Sequence, residues 1–96
     1  MAASKLAIER VALITALRHL ETIVVSLDRI GSCGAELGEQ EYKDLVVEFL
    51  NDWNVFEKLA ETRKILSTPF STALGDDGMD ELEREFDGLQ YWSRKE

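Results

Sequence analysis

One proline, one cysteine and one histidine are all that 96 residues contain of those three types. A lone cysteine forms no internal disulfide, so nothing in the chain calls for an oxidising compartment. His19 has no second histidine and no cysteine pair to join it, whereas zinc takes three or four ligands at fixed spacing. The single proline and the near absence of alternating Val and Thr argue against a sheet. Long apolar runs are missing too. None approaches the roughly 20 residues that span a bilayer, and Glu9 and Arg10 interrupt the apolar residues after Met1–Lys5, unlike a signal peptide. Basic residues are scarce, 11 Lys and Arg against 19 Asp and Glu, for a formal charge of −8. Phosphate backbones and anionic membranes need clustered Lys and Arg, so neither nucleic acid nor membrane is expected as a direct partner. The compartment these absences imply is the cytoplasm, or a host cytoplasm if the chain is phage-encoded.

What the chain does have is apolar periodicity. Its hydrophobic fraction of 45% is too high for disorder along the whole length, and its size is that of one domain. From Glu39 to Leu66, the residues Tyr42, Val46, Phe49, Trp53, Phe56 and Ala60 alternate steps of four and three, which predicts one long helix over about 39–66. Leu45, Leu50, Leu59 and Leu66 widen that seam, while Asp44, Glu48, Asp52, Asn54 and Lys58 stay wet. Glu39 and Glu41 at its start and Arg63 and Lys64 at its end suit the helix dipole, and Ser67-Thr68-Pro69 stops it.

An earlier helix is expected over about 4–30, capped by Ser4. Its seam is Leu6, Leu13, Leu17, Leu20, Val24 and Leu27, interrupted by Arg10, with Ala16, Ile23 and Ile30 beside it at intervals of seven. Thr15, Arg18, His19, Thr22, Ser26 and Arg29 form the polar side. Residues 31–38 contain Gly31, Gly34 and Gly38 and read as a loop. Two helices of about 40 Å joined by a short loop favour an antiparallel hairpin. Folding about the loop sets Leu27 near Tyr42, Leu20 near Phe49, Leu17 near Trp53 and Leu13 near Phe56.

After a linker over 67–78, with Gly75-Asp76-Asp77-Gly78 as a joint, a short helix over about 79–90 begins at Asp80, with Glu83 three residues on as a capping box. The fold expected is all-α: a long antiparallel helical hairpin plus a short acidic C-terminal helix. Burying one Leu or Phe is worth roughly 1.5–3 kcal/mol, and a hairpin leaves half of a broad seam uncovered. The hairpin is therefore expected to pair as a homodimer resembling a four-helix bundle, through Leu13, Leu17, Leu20, Val24, Leu27, Tyr42, Val46, Phe49, Trp53 and Phe56.

No catalytic, cofactor or metal residue stands out. Cys33 in Gly-Ser-Cys-Gly has the look of a nucleophile on a tight turn, but a nucleophile needs a base, and His19 lies some turns away on the polar side. Asp76 to Glu81 is close to a calcium loop without matching one, since its sixth position is Glu81 instead of glycine. Glu41, Asp44, Glu48 and Asp52 line up without the Glu-x-x-His of di-iron bundles.

Charge is the sharper signal. Asp76, Asp77, Asp80, Glu81, Glu83, Glu85 and Asp87 stand against Arg84 alone, a net of −6 between Asp76 and Asp87. Such a patch suits a basic protein partner, and Tyr91 and Trp92 beside it are of the types that anchor interfaces. The function expected is non-enzymatic: a small acidic regulator or inhibitor of the phage or bacterial-conflict kind, occupying a basic site on a protein partner. The alternative is a structural or adaptor subunit of a larger helical assembly. In favour of that alternative, the spacing Leu45–Val46–Leu50–Trp53–Phe56 resembles the helix of small coiled-coil subunits in the fungal DASH kinetochore ring, where a tryptophan sits mid-helix after an aliphatic run.

Overall fold

Four helices, and no strand among the described residues, make up the computed structural model, which describes residues 5–95. Helix α1 runs over Arg10–Gly34, α2 over Glu39–Asp52, α3 over Val55–Ser67 and α4 over Glu81–Phe86. The all-helical class and the start of the second helix at Glu39 agree with the sequence. Several other boundaries do not.

The first helix begins at Arg10, six residues later than expected, with Glu9 extended at its N-cap. The Ser4 cap lies outside the described residues. Residues 5–9 are not helical; Ala7 and Ile8 border a cleft that Ala12, Ile65 and Pro69 also line. At its other end α1 continues through Gly31 and Gly34 and shortens the expected loop to residues 35–38. Gly34 allows that extension a tertiary use. A Cβ there would stand 2.7 Å from Tyr42 Cδ1, so only glycine lets the tyrosine ring lie against the end of α1. Glu36 and Leu37 donate backbone N–H groups to the carbonyls of Cys33 and Gly34, closing the turn.

The largest difference falls inside the helix predicted over 39–66, which is broken. Asn54 adopts the left-handed conformation (φ 48°, ψ 47°) and separates α2 from α3. Asparagine enters this region more readily than most residues, because its side chain is short and polar. Lys58 ties the two sides of the break together. Its backbone N–H donates to Asn54 O, its Nζ donates to Trp53 O, and the ammonium lies 5.4 Å from the centre of the Trp53 ring. Trp53 therefore ends α2 and is not mid-helix, so the feature on which the kinetochore-subunit resemblance rested is not retained.

The break resets the helical phase. Beyond it the buried residues of α3 are Val55 and Thr62, seven apart, and not the Phe56 and Ala60 of the predicted seam. On α1, against which α3 packs most, the inward line is Ala16, Ile23 and Ile30. Ile23, Phe49 and Val55 form the core cluster, with Ile30 and Leu50 against it. The small side chains of Ala16 and Thr62 permit close approach of the helices. Thr62 Oγ1 satisfies itself on Lys58 O at 2.7 Å, so its burial leaves no stranded hydroxyl. The predicted hairpin pairs change accordingly. Tyr42 sits on Gly34, Phe49 is buried with Ile23 and Val55, and Leu17 and Trp53 are each more than half exposed.

Candidate interaction surface

Relative to expectation, α1 is turned by about a quarter turn, since adjacent helical residues lie about 100° apart. Its expected polar side therefore faces partly inward. Thr15, His19, Thr22 and Ser26 are half-buried, and His19 Nε2 lies 3.2 Å from Glu61 Oε2 of α3 without the alignment of a hydrogen bond. The expected apolar seam of the same helix faces partly outward. Leu17 is 54% exposed, Val24 61% and Leu27 41%, while Leu13 and Leu20 are half-buried between them. Those five residues form an apolar ridge of about 21 Å along α1, at 1.5 Å per residue.

A second apolar surface lies across the break. Trp53 and Phe56 are three residues apart and both largely exposed, and Val47 of α2 is exposed as well. Tyr42 and Val46, the other members of the predicted seam on α2, are exposed and half-buried respectively. Of the ten residues predicted for self-association, only Phe49 is buried within the chain.

The acidic segment folds into a small unit of its own design. Asp80 accepts a hydrogen bond from Glu83 N–H (2.8 Å) and Glu83 accepts one from Asp80 N–H (3.2 Å), the reciprocal cap that the sequence predicts. Asp77 receives both prongs of Arg84, Nε on Oδ2 and Nη2 on Oδ1, each at 2.9 Å, and its Oδ1 also accepts from Met79 N–H. Hydrogen bonding to Arg84, then to the Met79 backbone, then the guanidinium charge hold the Asp77 carboxyl well below the usual range. The same pair raises the Arg84 pKa. Arg84 Nη2 further donates to Met79 O, and Gly75 N–H donates to the same carbonyl, closing the turn expected to be a flexible joint. Gly78 takes φ 75° in that turn, which suits glycine. Glu81 Oε2 accepts from Ser71 N–H at 3.1 Å and fastens the start of α4 to the segment after α3.

The expected helix over 79–90 contracts to Glu81–Phe86, since Gly88 adopts φ 83° and Asp87 is extended. Four of the seven clustered carboxylates, Asp77, Asp80, Glu81 and Glu83, thus have intramolecular partners. Asp76, Glu85 and Asp87 are exposed, and among the described residues their carboxylates have no such hydrogen bond. Leu66 and Phe70 face Leu82 and Phe86 across an apolar groove of about 340 Å³ with Arg63 and Ser67 at its walls. Tyr91 and Trp92 follow outside any helix, 77% and 89% exposed.

Cys33, expected in a loop, lies in the last turn of α1 and is exposed. His19 is fourteen residues away on the same helix, about 21 Å along the axis, so within one chain the two cannot form a nucleophile–base pair. Among the described residues no group of three or more His, Cys, Asp or Glu side chains is arranged to hold a metal. No described helix is long and apolar enough to cross a membrane.

The one structural feature hardest to read from sequence was the Asn54 break. Its signal was present as Asn51-Asp52-Trp53-Asn54, three turn-favouring residues in four, masked by apolar spacing that ran through it without a fault. Compared with protein-family models, curated proteins and solved structures, the chain gives no match.

Proposed function

We propose that the chain is a non-enzymatic protein–protein interaction module, a small acidic regulator that is covered along its apolar helical surface by protein and meets a basic surface with its C-terminal unit. The observation that carries this reading is area. A folded monomer of 10.9 kDa is expected to expose about 5,600 Å², whereas this chain exposes 8423 Å². Its radius of gyration is 17.8 Å, against about 13 Å for a compact domain of this length. The excess includes large apolar side chains on three helices, a surface that in water favours association over solvation.

The acidic end supports the second half of the reading less directly, because part of its charge is spent on local structure. Reversing Asp80, Glu81 and Glu83 would dismantle α4 along with any binding site. The informative variant replaces Asp76, Glu85 and Asp87 with Lys. In capture experiments with the full chain, it is expected to lose partners that elute with moderate salt, while its circular dichroism stays that of the parent. Equal capture by the variant and the parent would remove the basic-partner reading. The structural-subunit alternative would then be preferred, since it draws on the same uncovered apolar area and the elongated shape of 55 × 40 × 20 Å.

A further inference from the structure

We infer that the segment after α4 is a strap that closes over the groove between α3 and α4. Closed, it seats Trp92 among Leu66, Phe70, Leu82 and Phe86 and brings Arg94 and Lys95 to the free carboxylates of the acidic unit. Direction, reach and charge each point to this segment of the chain itself as the occupant.

Direction is set at the end of α4. Asp87 (φ −60°, ψ 131°) and Gly88 (φ 83°) have the geometry of a type II turn, and Leu89 N–H donates to Phe86 O across it at 3.0 Å. The backbone is therefore turned back toward the helix it has just left. Reach follows from residue counts. Leu89 to Trp92 is three residues, about 10 Å of extended chain. Phe86 back to Leu82 is four, about 6 Å of helix. Trp92 thus reaches the groove with chain to spare.

In the structure the strap stands open. Trp92 is 89% exposed, and Leu66 and Phe86 on the groove walls are each 41% exposed. Closing removes both apolar surfaces from water together. The groove, about 340 Å³, lies at the small end of ligand-sized pockets, which suits one indole. Arg63 at its wall offers a guanidinium to the ring face.

Charge places the end of the strap. Arg94 and Lys95 are the only basic residues after Arg84, and both are exposed. Lying two and three residues past Trp92, they extend roughly 7–10 Å further. That carries them beyond Leu82 to the start of α4, where Arg84 fastens the turn that holds Asp76. Glu85 and Asp87 are exposed along the way. A closed strap competes with a basic partner for these carboxylates; that consequence rests on the interaction-module reading, whereas the strap itself does not.

Nuclear Overhauser contacts in the full chain test the strap, and are expected between the Trp92 indole and the methyl groups of Leu66 and Leu82. In a Trp53→Phe chain, where Trp92 is the remaining tryptophan, its emission should be blue-shifted and shielded from acrylamide relative to the urea-unfolded chain. Both signals should be unchanged on dilution. Arg94→Glu with Lys95→Glu, outside every helix, should release Trp92. Adding Asp76→Lys, Glu85→Lys and Asp87→Lys to that variant should restore the shielding.

A Trp92 quenched as in the unfolded chain, with no contact to either leucine, overturns the strap. Shielding lost on dilution assigns the groove to the tail of a second copy and overturns closure within one chain. Shielding that survives the charge reversal overturns the pairing with the carboxylates, and with it the competition for a basic partner. A failed strap leaves the proposed function to its own capture experiment.

Discussion

At Asn54 a single residue decides how the second half of the molecule faces. A non-glycine residue in the left-handed region costs roughly 1–2 kcal/mol, least for asparagine and most for β-branched side chains. Asn54→Gly is therefore expected to leave stability unchanged or slightly raised, and Asn54→Val to lower it by about 1–2 kcal/mol in urea unfolding. An Asn54→Val protein as stable as the parent would mean that α2 and α3 fuse at little cost, which would restore the straight helix of the sequence reading. Gly34 is the other position where one atom matters. The sequence shows a glycine near a helix end and invites a loop there, while the aromatic ring that needs the missing Cβ is eight residues away. Propensity is local, and the reason for this glycine is not.

Among the elements, α4 was the most legible. Asp80 and Glu83 cap it as their spacing predicts, because a capping box is made by residues three apart and needs nothing from the rest of the fold. The Asp77–Arg84 pair spans seven residues and was not foreseen. It gives this element a pH dependence whose sign follows from the depressed Asp77 pKa. A carboxyl lower in the folded state than its ordinary 3.8 contributes stability that is present above that value, and that contribution is lost as pH falls through the folded pKa. Amide exchange at Gly75, Met79 and Arg84 should therefore be steady from neutral pH down to the ordinary aspartate range, once corrected for intrinsic rates, and quicken below it. Asp77→Asn should quicken the same amides at neutral pH. Both charges are exposed, so the effect belongs to this turn and not to global stability. If Asp77→Asn leaves those amides unchanged, the bridge does not hold the turn.

The whole molecule has five buried residues among those described, Ala16, Ile23, Phe49, Val55 and Thr62, which is a thin core for its length. Association that buries more apolar surface stabilises the folded state by mass action. The midpoint of thermal unfolding is therefore expected to rise as the chain is concentrated, and a hydrophobic dye bound at low concentration should be released at high concentration. A midpoint that does not move over a wide concentration range would show that the uncovered surface is tolerated in the free chain. The excess of apolar surface is legible in the sequence from helix lengths alone. Which side chains lie inside is not, because Ala16–Ile23–Ile30 and Leu13–Leu17–Leu20–Val24–Leu27 are adjacent lines on one helix, and composition favours the line with the larger residues.

By itself the sequence determined the helical class, the start of α2, the cap of α4 and the dense acidic run from Asp76 to Asp87, all properties of spacing over a few residues. Only the tertiary structure decided which face of α1 points inward, where the second helix divides and which carboxylates are left free. Those outcomes depend on a left-handed asparagine that shifts phase, and on small side chains at Ala16, Gly34 and Thr62. There the approach of a distant segment, and not the residue's own hydrophobicity, sets what is buried.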